Sequence, residues 1–96
     1  MHKTDDGLQN CLGAIQIRES LMQLDPADAR YKSALAADYI AASGVARAAG
    51  QRKTASEFVG RARAILESLL RLDPANTLAA RQLRRISKTE RPGADR

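Results

Sequence analysis

Apolar residues recur along the chain at steps of three and four in four separate runs, the spacing that puts them on one face of a helix. The first run predicts a helix over about Asp6–Leu24, with Leu8, Cys11, Leu12, Ile15, Leu21 and Leu24 turned inward. The second predicts Asp28–Ala49, on which Tyr31, Leu35, Ala42, Val45 and Ala49 recur. The third, Ala55–Leu72, carries Phe58, Ala62, Ile65, Leu69 and Leu72 in one row, with Val59, Leu66 and Leu70 beside it. A stripe that wide exceeds what one neighbour covers, so this helix is expected to be packed on two sides. The fourth, about Asn76–Ser87, sends Ala79, Leu83 and Ile86 inward and Arg81, Arg84, Arg85 and Lys88 outward.

What separates the runs is turn chemistry. Proline lacks the N–H a helix needs and biases the preceding residue away from helical angles, so Asp25-Pro26 and Asp73-Pro74 end helices at Leu24 and Leu72. Asp28 and Asn76 then supply side-chain oxygens to cap the helices that follow. Gly50 suits the left-handed position that closes a helix, and Thr54 with Glu57 reads as a capping box opening the next. Glu57 with Arg61 and Glu67 with Arg71 are ordered charge pairs at i, i+4.

The two Asp-Pro turns belong to a longer repeat. A shift of 48 residues aligns Leu8–Tyr39 with Ser56–Ser87, and ten of the 32 pairs are identical. These are Ala14/Ala62, Ile17/Ile65, Glu19/Glu67, Ser20/Ser68, Leu21/Leu69, Leu24/Leu72, Asp25/Asp73, Pro26/Pro74, Ala27/Ala75 and Leu35/Leu83. Identity gathered on apolar positions and on a turn is what a repeated supersecondary unit retains. The unit is helix, Gly turn, helix, Asp-Pro turn.

Composition agrees with an all-α chain, since Ala, Leu and Arg lose little on entering a helix. At 96 residues it forms one small domain, too small for a deep enclosed site with its own lid. The net charge of +5 is concentrated at one end: residues 81–96 hold six Arg or Lys against Glu90 and Asp95, a balance of +4. Cys11 is the single cysteine, which excludes an intrachain disulfide. The opening MHKTDDGLQN has no uninterrupted apolar run of the signal-peptide kind and no segment is long and apolar enough to span a membrane, so the default expectation is the cytoplasm.

The order of small and bulky residues resembles the tetratricopeptide repeat (TPR), in a long form with a 48-residue unit. A small residue late in the first helix, a Gly turn, an Ala, a bulky residue, a further Ala and a terminal Pro fall on Ser43, Gly50, Ala55, Val59 or Phe58, Ala62 and Pro74. Against the ordinary 34-residue unit the excess of about 14 residues divides into about two turns per helix, which returns each stripe to nearly the same face. The resemblance covers Leu8 to Ile86. It implies antiparallel helical hairpins forming a fragment of a right-handed superhelix: one full repeat flanked by two half repeats over residues 6–87, between a disordered N-terminus (1–5) and a polar basic tail (88–96).

No catalytic constellation stands out. His2 lies at the terminus, so a dyad with Cys11 lacks the geometry that nucleophile and base require. Cys11 takes the place of Val59 in the other copy and reads as a small apolar residue. Neither Gly44 nor Gly50 belongs to a phosphate loop, and Asp25 and Asp73 read as turn residues. Asp38, beside the Leu35–Ala42 stripe, reads either as a partly buried hydrogen-bonding group or as a solvent-facing one, with the balance slightly toward the first. The chain is therefore expected to be no enzyme and to need no cofactor or metal.

In the resembled family ligands lie on the concave surface of the first-type helices, which implies Ala37, Ile40, Gly44 and Arg47 here. The Asn and Lys pattern with which some members hold a terminal carboxylate is missing. Arg47, with Tyr39 and Ile40 nearby, is the candidate contact for an acidic or apolar peptide. The expected function is a protein-interaction or scaffold module that self-associates or joins a larger assembly, because isolated solenoid units leave apolar faces uncovered. The rival is a small basic nucleic-acid binder using Arg81, Arg84, Arg85 and Lys88. Those charges lack interleaved aromatic residues for base stacking, and a solvated, soluble cap explains them as well.

Overall fold

The computed structural model describes residues 3–25 and 28–90, with side chains described over 7–25 and 28–87. Among these residues the regular structure is four α-helices: α1 (Lys3–Leu24), α2 (Ala29–Ala48), α3 (Arg52–Leu72) and α4 (Thr77–Glu90). The protein is all-α, with consecutive helices joined by short turns into antiparallel hairpins. Residues 3–5, expected to lie outside any helix, belong to α1. At the other end α4 runs three residues past Ser87 into the expected tail. His2 and residues 91–96 lie outside the described residues.

Local turn chemistry sets the helix ends. The Asp28 carboxylate accepts the Arg30 backbone N–H at 2.9 Å, and its other oxygen pairs with the Arg30 guanidinium. In the second copy, the Asn76 side-chain oxygen accepts from the Ala79 N–H at 3.0 Å, while Asp73 folds back onto the Ala75 N–H. Both helices after the Asp-Pro turns thus begin on a side-chain oxygen that satisfies an otherwise orphaned donor. At the end of α2, Gly50 has φ of 81°. Its N–H donates to the Arg47 carbonyl, and the Gln51 N–H to the Ala46 carbonyl at 2.8 Å, the double closure of a Schellman turn. The chain reverses so tightly there that α3 starts at Arg52, with Gln51 in the cap position and no side-chain cap bond. The expected Thr54–Glu57 capping box does not form, because both residues are already inside the helix.

No atom lies within 4 Å of a Cβ built on Gly50, so the cost of a side chain there is conformational alone. Gly50→Ala is expected to lower stability by about 1–2 kcal/mol, the price of a left-handed L-residue. Urea unfolding followed by circular dichroism measures it; an unchanged midpoint would refute the turn geometry.

Each helix packs chiefly on its neighbours in sequence, α1 on α2, α2 on α3 and α3 on α4. The slab measures 40 × 34 × 16 Å. One continuous core joins Ile15, Leu35, Ala36, Tyr39, Ala42, Val59, Ala62, Leu66, Leu69, Ala79 and Ile86. The third helix is indeed covered on two sides. On α2 the buried residues are Leu35, Ala36, Tyr39, Ala42, Ser43 and Ala46, whereas Tyr31, Val45 and Ala49 of the expected stripe are only half-buried. The inward face is thus rotated toward the alanines, because α2 sits between two helices. Ser43 is buried, its hydroxyl bonded to the Ile40 carbonyl, while Gly44 faces solvent. Leu24 and Leu72, expected to point inward, are exposed, each the last residue of its helix.

Candidate functional site

A groove of about 280 Å³ runs between α2 and α4, lined by Ala37, Ile40 and Ala41 on one wall and Gln82 and Arg85 on the other. It unites Ile40 of the expected peptide-contact set with Arg85 of the expected basic set. One feature of it has no signature in the sequence: the Gln82 side-chain oxygen is buried without a hydrogen-bond partner. Arg47 is exposed further along α2 and does not line this groove. Arg81, Arg84 and Arg85 all lie exposed on α4, as their spacing of three and four requires, while the Lys88 side chain is outside the described residues.

Tyr39 is a correction. Placed by the sequence among surface contacts, it is 4% exposed and belongs to the core. Neighbouring helix positions point about 100° apart, so the half-buried Ile40 lines the groove while Tyr39 turns into the protein. The Tyr39 hydroxyl donates to a Glu19 carboxylate oxygen on α1 at 2.6 Å. Its ring lies 5.8 Å from that of Phe58 on α3, and the Arg61 guanidinium sits 5.9 Å from its centroid. One residue earlier on each helix, Arg18 Nε donates to Asp38 Oδ2 at 2.9 Å. Asp38 is therefore the partly buried hydrogen-bonding residue its position suggested, and α1 is fixed to α2 by two polar pairs beside its apolar contacts.

Burial pushes the Tyr39 phenol above its ordinary pKa, the hydrogen bond to Glu19 acts in the same direction, and Arg61 offsets part of the effect. The native state thus favours the neutral phenol. This contribution is complete below the ordinary phenol value of about 10 and is lost as pH rises through the folded value. Stability is expected to fall on the alkaline side of that window, and the Tyr39→Phe variant should lack this part of the decline. Urea midpoints for both proteins across alkaline pH measure it; parallel curves would remove Tyr39 from the account.

An unpartnered apolar row lies on α1. By the 48-residue shift its positions 14, 17 and 21 match Ala62, Ile65 and Leu69, and the residues are identical. On α3 Ala62 and Leu69 are buried and Ile65 half-buried, on the side where Phe58 meets Tyr39 of α2. On α1 Ala14 is exposed, Leu21 half-buried and Ile17 64% exposed. The buried residues of α1, Leu8 and Ile15, lie on a different face, as do Arg18 and Glu19, whose side chains bond α2. Two apolar faces are thus present on α1, and its own chain covers one. Cys11 is half-buried and packs against the core.

Among the described residues no helix is long and apolar enough to cross a membrane. No protein-family model, curated protein or solved structure matches the chain.

Proposed function

We propose that the chain is a non-enzymatic protein-interaction module of TPR type, a small cytoplasmic scaffold that self-associates or joins a larger assembly. The observation that carries this reading is the row Ala14, Ile17 and Leu21. The same residues on α3 are buried or half-buried on the side where Phe58 meets Tyr39 of α2, which suggests that what such a row binds is a helix face. Removing exposed apolar surface from water is worth about 25 cal/mol per Å², which makes an uncovered row a driving force for association. Light scattering or sedimentation over a wide range of protein concentration tests it. A mass that rises with concentration supports self-association; a strict monomer at every concentration overturns that part of the reading.

The second reading, a basic nucleic-acid binder, draws on the exposed Arg81, Arg84 and Arg85. Such binding rests on released counterions and weakens steeply with salt. Random-sequence DNA titrated at low and moderate salt decides it, since no binding even at low salt removes the idea.

A further inference from the structure

We infer that the free face of α1 is a two-fold interface with a second copy of this chain, α1 against α1 antiparallel, with Ile17 on the dyad. The inference rests on the self-associating form of the function proposed above and adds the surface, the partner and the geometry.

Charge is the first argument. From Gly7 to Leu24 the charged residues are Arg18 and Glu19, and both are bonded to α2. The fully exposed residues of α1 over that span are uncharged, including Gln9, Asn10, Gln16, Ser20 and Gln23, while Arg18 and Glu19 are half-buried against α2. By contrast, α3 carries seven charged residues from Arg52 to Arg71. In a chain that is 28% charged, an uncharged exposed helix face has the composition of an interface core. It also suits a two-fold axis, across which each residue group meets its own copy and any charge risks meeting its like.

The second argument is shape. Asn10, Ala14, Ile17, Leu21 and Leu24 are spaced four, three, four and three, the heptad seam of paired helices. In an antiparallel pair centred on Ile17, Ala14 lies opposite the partner's Leu21, so that a small residue meets a large one on each side of the axis. A parallel pair would set alanine against alanine and leave a gap. The third argument concerns the competing surface of a second copy, α4. Where α2 buries Leu35, Ala36, Tyr39 and Ala42, the corresponding residues of α4 are Leu83, Arg84, Ser87 and Glu90. Arg84 and Ser87 are exposed, so α4 has no α2-like face with which to cover α1 head to tail.

The test uses the whole chain. Ile17 and Ala14 make no part of the core, so Ile17→Lys and, as an independent variant, Ala14→Arg should keep native helicity and, at concentrations where the parent is monomeric, its melting. Each is expected to weaken the dimer on the order of a hundredfold or more, Ile17→Lys by setting like charges face to face on the dyad and Ala14→Arg by burying an unpaired charge against the partner's Leu21. In a Cys11→Ala background, Ile17→Cys should oxidise to a disulfide-linked dimer. Ala14→Cys alone should not, because its copies are displaced about 9 Å along the helix axis, beyond disulfide reach; Ala14→Cys mixed with Leu21→Cys should. A dimer that survives both charge variants, or Ala14→Cys linking as readily as Ile17→Cys, overturns the α1 geometry while leaving self-association intact. A strict monomer overturns both.

Discussion

Replacing Leu66 by alanine is expected to lower stability by about 3–4 kcal/mol, the cost of deleting three buried carbons and leaving a cavity. Leu66 is 0% exposed and the largest fully buried side chain among the described residues. It lies at the junction of the α3 faces turned toward α2 and α4, where the surrounding helices are held by several contacts each and have little freedom to collapse. The repeat supplies an internal control. The residue matching Leu66 on α1 is Arg18, whose side chain is 43% exposed and bonded to Asp38. Where two neighbours cover the position it is leucine, and where one does it is arginine. For a domain of this size the whole stability is roughly 5–15 kcal/mol, and each kcal/mol is worth about 4–8 °C in melting temperature. The variant should therefore melt at least 12 °C or so below the parent, with a lower urea midpoint. A loss below about 1 kcal/mol would mean that the site collapses around the gap and that the core is not packed as described.

The same comparison of copies marks what the sequence made legible. Turn chemistry was readable because it is local: a capping oxygen at Asp28 or Asn76 acts within three residues, and the closure at Gly50 needs no tertiary partner. The end of α1, both ends of α2 and the start of α4 follow from those signals, whereas α1 begins and α4 ends three residues beyond the expected bounds, and α3 begins before the capping motif, which lies inside the helix. The rotation of α2 was harder to read. Ala36 and Ala46 are wholly buried, yet alanine contrasts so weakly with its surroundings that the pattern points toward Tyr31 and Val45 instead. Here the partner helices decide the face. The α1 surface lay in the repeat all along, as the identities at 14, 17 and 21, but only the burial of the matching residues on α3 sets the exposure of Ala14 and Ile17 in contrast. The buried oxygen of Gln82 depends on α2 and α4 meeting across a groove, a juxtaposition that neither helix encodes alone.

Tyr39→Ala is expected to cost about 3–4 kcal/mol, a loss of folding stability that no surface contact residue would give. The ring fills space between α1 and α3, where it meets Phe58 and Arg61, and its hydroxyl holds Glu19. Truncation removes the aromatic contacts and leaves a cavity, and it frees a carboxylate that is half-buried and so still reaches water. Tyr39→Phe keeps the ring and deletes only the hydrogen bond, so its cost should be near 1 kcal/mol at neutral pH. The ratio of the two is the informative quantity. A large loss for alanine and a small one for phenylalanine assigns the residue to packing across three helices; equal losses would assign it to the hydrogen bond with Glu19. The matching residue on α4 is Ser87, exposed, with no following helix in the described structure to pack against. Tyrosine thus stands where α2 is enclosed on both sides and serine where α4 is open, which is why Tyr39→Ala should destabilise the fold while leaving the row Ala14, Ile17 and Leu21 on α1 unaltered. Unfolding curves for the parent and the two variants, taken at protein concentrations where all are monomeric, separate the contribution of the fold from that of the interface.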